Sequence, residues 1–233
     1  MQKRWRDWGK RPFRFTLFAC LQFVVLTAIA MWVYPGGSTP DPSSRRYSFF
    51  TNFFSDLGLT VTEGGHPNWL SFVLFAVALT VVGLGLVVYF VSAPQFFWRT
   101  GLQRVLSVLG SFFGVAAGIS YIGVAFAPAN LVPGWHMIFT LSAFELFLVA
   151  AVFYAIATLL MPAYPRLLAL VYLGFAVLLA GYVMLMMTGP ASDTARAVMI
   201  QATGQKVIAY AAIVSTSIQS WGAGHLQDRG LGA

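Results

Sequence analysis

Residues 69–91 read WLSFVLFAVALTVVGLGLVVYFV, a stretch of twenty-three residues without one Asp, Glu, Lys or Arg. At ~1.5 Å of rise per residue, a helix of this length covers ~35 Å, enough to cross the ~30 Å hydrocarbon layer of a bilayer. Five more apolar runs of similar length stand at 15–34, 105–126, 135–160, 167–187 and 197–220. The expected fold is therefore all-α: a polytopic membrane protein forming a six-transmembrane-helix bundle, one membrane domain over residues 1–233. Composition agrees, because the chain is 58% hydrophobic and only 9% charged. Soluble domains carry roughly 25% charged residues and need them to cover their surface.

The net charge of +7 is unevenly placed. Six of the fourteen Lys and Arg fall within the first fourteen residues, interleaved with Trp5 and Trp8 directly ahead of the first run. That pattern suits an anionic membrane surface with indoles at headgroup level, and it leaves no folded basic face for nucleic acid. Membrane lipids are the expected partners, and no cofactor is implied. The only cysteine, Cys20, lies inside the first run and offers neither a disulfide nor a thiolate metal site.

Orientation follows from where the cations fall between spans. Lys3, Arg4, Arg6, Lys10, Arg11, Arg14, Arg99, Arg104, Arg166 and Arg229 share one side, against Arg45, Arg46 and Arg196 on the other. Ten against three places both termini in the cytoplasm of a multi-pass protein of the cell membrane. Ala28-Ile29-Ala30 resembles a signal-peptide cleavage site, but the run is long for one, and Trp32 and Tyr34 close it as an interfacial belt.

In the third run, Gly110, Gly114 and Gly118 recur every fourth residue. Such a ridge lets another helix approach closely, either inside the bundle or on another membrane subunit. Packing inside the bundle would set the third span at its centre.

The outer loop, residues 35–68, contains Tyr47-Ser48-Phe49-Phe50-Thr51-Asn52-Phe53-Phe54-Ser55-Asp56-Leu57-Gly58. Four Phe in six residues do not lie free in water, so a short interfacial or re-entrant helix with its rings against the bundle is expected. Asn52, Ser55 and Asp56 are the polar members. Asp56 either caps a turn through backbone N–H groups or acts as a ligand or general base. His66 in the same loop and His136 at the start of the fourth span share its membrane face. Asp56, His66 and His136 match a three-ligand zinc site in residue type but not in local spacing. Asn68 is placed to cap the second span.

Two ionisable residues stand deep within spans, Glu145 in the fourth and Lys206 in the sixth. Similar depth below one membrane face predicts that they pair, as a structural bridge or as a functional dyad. His136 and Glu145 are nine residues apart, or 900° at 100° per residue, so they point to opposite sides of their helix. Gln201, Gln205, Lys206 and Tyr210 belong to a polar side of the sixth span that must face protein or water.

The loop motif Asn52-Phe53-Phe54-Ser55-Asp56-Leu57-Gly58, followed by Pro67-Asn68, resembles the integral-membrane family catalogued as domain of unknown function 998. More distantly, its Ser-Asp-x-Gly element and six-span layout look like the DRAM-like membrane family, which is tied to lipid remodelling and membrane trafficking. The resemblance covers about 25 residues plus the span pattern. It implies a six-helix fold with Ser55-Asp56-Leu57-Gly58 at the outer face, and assigns no reaction.

Three functions fit these residues. One is a non-enzymatic module binding a lipid or other apolar molecule at the outer face, or serving as an accessory subunit of a membrane complex. Another is a lipid-directed hydrolase or transferase using Asp56, His66 and His136. The third is a small proton- or solute-coupled transporter using Glu145 and Lys206. No nucleotide-binding Gly-rich loop, serine nucleophile elbow or His-Glu-x-x-His motif is present.

Overall fold

The structure, a computed structural model, describes residues 2–98, 100–162, 164–190 and 194–228, with side chains from residue 9 onward. Of the cations used for orientation, Arg99 and Arg229 lie outside the described residues, as do the side chains of Lys3, Arg4 and Arg6. Six helices account for the bundle: α1 (Gln2–Val33), α2 (Trp69–Ser92), α3 (Gly101–Phe126), α4 (Pro133–Leu159), α5 (Arg166–Thr188) and α6 (Ala195–Asp228). Each holds a stretch long and apolar enough to cross a membrane. The described residues include no strand.

Local chemistry sets several of the helix ends. Pro35 disfavours helical backbone at Tyr34, and α1 stops at Val33. Thr100 caps α3 by accepting from the Gln103 N–H at 3.2 Å. Pro133 opens α4, where its missing N–H costs no hydrogen bond.

The helices form a ring. Each packs against its neighbours in sequence, and α6 returns to α1. Lys10 of α1 and Asp228 of α6 form an ion pair where the ring closes, so the first part of α1 and the last turn of α6 lie at one end of the bundle. The Gly110–Gly114–Gly118 ridge is filled from within the chain. A Cβ at Gly114 would stand 2.3 Å from the Phe90 ring of α2, and one at Gly110 2.8 Å from Tyr154 of α4. A Cβ at Gly118 would stand 2.7 Å from the Gly83 carbonyl oxygen. The ridge thus sets the distance of α3 to both α2 and α4, and α3 is a stave of the ring, not its axis.

The half of the ring near the termini is solid. Phe13, Tyr89, Phe90, Phe97, Phe147, Tyr154, Tyr164 and Tyr172 fill it. Most of the buried hydroxyls there have the partners they need, Ser220 Oγ being an exception. Tyr89 and Tyr172 bond each other, Ser111 Oγ lies 2.7 Å from Tyr154 Oη, and Tyr164 donates to Gln219 at 3.2 Å. The opposite half holds a second apolar cluster around Phe23, Phe54, Phe75 and Leu79, surrounds a cavity, and is roofed by the connection between α1 and α2.

Candidate functional site

The roof begins where Gly36 and Gly37, at φ +105° and +91°, turn the chain back over the ring. Instead of an interfacial helix over the whole Phe-rich stretch, the chain makes one short 3-10 turn, Phe54–Gly58. Phe54 alone of the four clustered phenylalanines is fully buried. It stacks on Phe23 of α1 (centroids 5.6 Å apart) and meets the edge of Tyr210 of α6 (5.8 Å). Phe49 and Phe50 remain exposed.

Asn52 and Asp56 build the turn. The Asn52 amide donates to Gly37 O at 2.8 Å and to Asp56 Oδ2 at 2.9 Å, while its Oδ1 accepts from Ser48 N at 2.9 Å. Asp56 Oδ2 also accepts from Phe53 N at 2.9 Å, the reach-back of a carboxylate to the backbone ahead of its own helix. Of the two roles open to Asp56, geometry gives it the capping one. Burial pushes its carboxyl up from 3.8 to about 6, against the downward pull of the Asn52 and Phe53 hydrogen bonds.

The roof is tied to three places on the ring. Phe54 N donates to Gln205 Oε1 of α6 at 2.7 Å. Ser71 Oγ and Asn68 Nδ2 of the α2 end donate to Leu57 O at 3.1 and 3.3 Å, and Asn68 also reaches Leu59 O at 2.8 Å. Asn68 therefore holds the roof through Nδ2 and makes no side-chain cap to α2: its Oδ1, the atom that would accept from the first turn, is buried without a hydrogen-bond partner. Asn130, between α3 and α4, exchanges two hydrogen bonds with Thr60. Irregular backbone survives at membrane depth only where protein satisfies it in this way.

Lys206 is the deepest anchor, with no exposed surface. Its ammonium donates to Asn52 O of the roof and to Ala202 O of its own helix at 3.2 Å. The rings of Tyr47 and Phe49 lie 5.4 and 5.3 Å from it, within cation–π range. The expected partner, Glu145, is elsewhere. It lies on the exposed side of α4, and no hydrogen bond or ion pair reaches it among the described residues. Matching depth was insufficient because α5 stands between α4 and α6 in the ring, and Glu145 faces outward. His136, half a turn out of phase, is buried on the inner side and donates from Nδ1 to Ala127 O at 2.7 Å.

The set Asp56, His66 and His136 is not assembled: His66 is exposed in its loop, Asp56 caps the Phe54–Gly58 turn, and His136 is buried on the inner side of α4. Among the described residues no group of three or more His, Cys, Asp and Glu is placed to hold a metal. Of the remaining polar candidates, Gln201 donates to Pro190 O in the connection between α5 and α6, and Ser55 lines the space beneath the roof.

That space is a cavity of about 80 Å³. By the same measure one water needs ~10–15 Å³. Phe54 and Ser55 roof it, Phe23, Leu79, Val124, Ala143, Phe144 and Ala209 wall it, and Leu86, Phe147 and Thr216 form its floor. Almost every lining group is apolar. Thr140, on the α4 wall, is buried and its Oγ1 has no hydrogen-bond partner. Sequence reading passed over these wall residues because nothing in a run of Leu, Phe and Ala distinguishes a wall from a filled core. A threonine inside an apolar span was the one available signal.

No family model, curated protein or solved structure matches the chain.

Proposed function

We propose that the protein is a non-enzymatic membrane module that takes part of a lipid, or another elongated apolar molecule, into the cavity beneath the Phe54–Gly58 roof. The cavity itself carries this reading. Close-packed interiors leave few voids larger than a water, and an apolar void of several waters' volume stays dry or binds an apolar guest. Ser55, Gln205 and Thr140 at the roof end offer hydrogen bonds to one polar group, so a chain with a single polar end fits best. Asp56 and Lys206 are engaged in holding the roof and contribute no chemistry to a substrate.

The roof faces the outside of the cell membrane in this proposal, with both termini in the cytoplasm, an orientation that the distribution of Lys and Arg supports. The loop's resemblance to domain of unknown function 998 is proposed to reflect the same roof architecture. Maleimide labelling of a cysteine placed at the exposed Ser43, in intact cells of a Cys20→Ser background, tests the orientation.

Binding is tested by filling the hole. Ala209→Leu and Ala212→Leu each place a larger side chain into the cavity. Purified wild-type protein should bind a fluorescent long-chain fatty alcohol, and the variants should bind it at least ~tenfold more weakly with undiminished unfolding temperature. Wild-type affinity in both variants, with folding intact, would refute the proposal.

A further inference from the structure

We propose that the face of α4 bearing Glu145 is the docking surface for a membrane-spanning helix of a different protein, one that presents a lysine or arginine near its midpoint. The inference does not depend on what fills the cavity.

Glu145 stands twelve residues from the start of α4 and fourteen from its end, so ~18 and ~21 Å from the two ends of the helix. Ile138, Val152, Ile156 and Leu159 on the same stripe are exposed. With Ser142 and Val149, these positions alternate steps of four and three, the spacing with which one helix packs along another. The carboxylate at the middle of this seam has no partner among the described residues. Ionisable groups at such depth are kept by proteins that pair them.

Two nearer explanations fail. Within the chain, the one cation at comparable depth is Lys206, which is fully buried and holds the roof. A second copy supplies no cation either. By position in the sequence, the other thirteen Lys and Arg fall outside the apolar stretches or within two turns of their ends. A like face would bring only another Glu145. The glycine ridge, the other candidate for contact with a partner, is already filled by Phe90, Tyr154 and Gly83. The occupant that remains is a foreign helix with a basic residue at mid-depth.

The test uses the full chain, donor-labelled, in phosphatidylcholine vesicles with an acceptor-labelled Leu/Ala single-span peptide. The peptide carries Lys, Leu or Glu at its centre. Energy transfer should show association with the Lys peptide about tenfold above the Leu peptide. Glu145→Gln, a change on an exposed position, should abolish that preference without altering the unfolding temperature. Glu145→Lys should transfer it to the Glu peptide. Equal association of wild type with the Lys and Leu peptides overturns the proposal, as does an undiminished Lys preference in Glu145→Gln. Transfer between two labelled copies of the wild type that vanishes in Glu145→Gln also overturns it, because a second copy is then the occupant.

Discussion

Protonation of Asp56 should stabilise the protein, the reverse of the usual behaviour of a native carboxylate. Its folded-state value is about 6, against 3.8 for the free group. Between those values the folded state holds a proton that the unfolded chain has released, so stability falls as pH rises through the window. The difference of about 2 pH units corresponds to ~3 kcal/mol at 1.36 kcal/mol per unit. The contribution is present in full below pH ~4 and lost above pH ~6. Asp56→Asn isolates it, since the amide oxygen can still accept from Asn52 and Phe53 while nothing titrates. The measurement is thermal unfolding in detergent at half-unit steps from pH 4 to 7.5 for both proteins. The wild-type minus variant difference cancels other carboxylates such as the exposed Glu63. At ~2–4 °C per kcal/mol for a chain of this length, that difference should fall by roughly 6–12 °C between pH 4 and 7. A flat difference curve, or one that climbs with pH, would refute the assignment of Asp56 as a buried, desolvated cap.

Five further substitutions probe the same architecture. Asn52→Leu strips partners from Gly37 O, Asp56 and Ser48 N at once; at ~1 kcal/mol or more for each lost bond, destabilisation of ~3–5 kcal/mol is expected, together with faster tryptic cleavage at Arg45 and Arg46. Thr140→Val removes an unpartnered buried hydroxyl and should raise the stability of the ligand-free protein by ~1–2 kcal/mol, measured by chemical denaturation. Gly114→Ala should destabilise by more than ~2 kcal/mol, because its methyl carbon would lie 2.3 Å from the Phe90 ring; Gly174→Ala and Gly181→Ala, with open space around them, should gain up to ~1 kcal/mol in the same assay.

Much of this protein is legible in its sequence because a bilayer leaves few alternatives. An apolar run with the length of 69–91 must satisfy its backbone internally, so it is a helix, and six such runs bring both ends of the chain to one side. Asp56 and Asn52 were the evident polar members of the aromatic stretch before Gly58, and both are buried in the roof, whereas Phe49 and Phe50 stay exposed and Phe54 supplies the buried ring. Helical phase alone put His136 and Glu145 on opposite sides of α4, and there they stand.

The sequence could not say which partner each buried group would take. Depth is one coordinate, read by counting residues from a span's end; azimuth around the bundle is another, and it depends on the order in which helices pack. Glu145 and Lys206 agree in the first and differ in the second, with α5 between their helices. Lys206 instead met a carbonyl 154 residues earlier in the chain, that of Asn52, because the roof dips into the ring beside α6. The cavity is likewise a property of six helices held apart by one another's side chains, and no single helix encodes it.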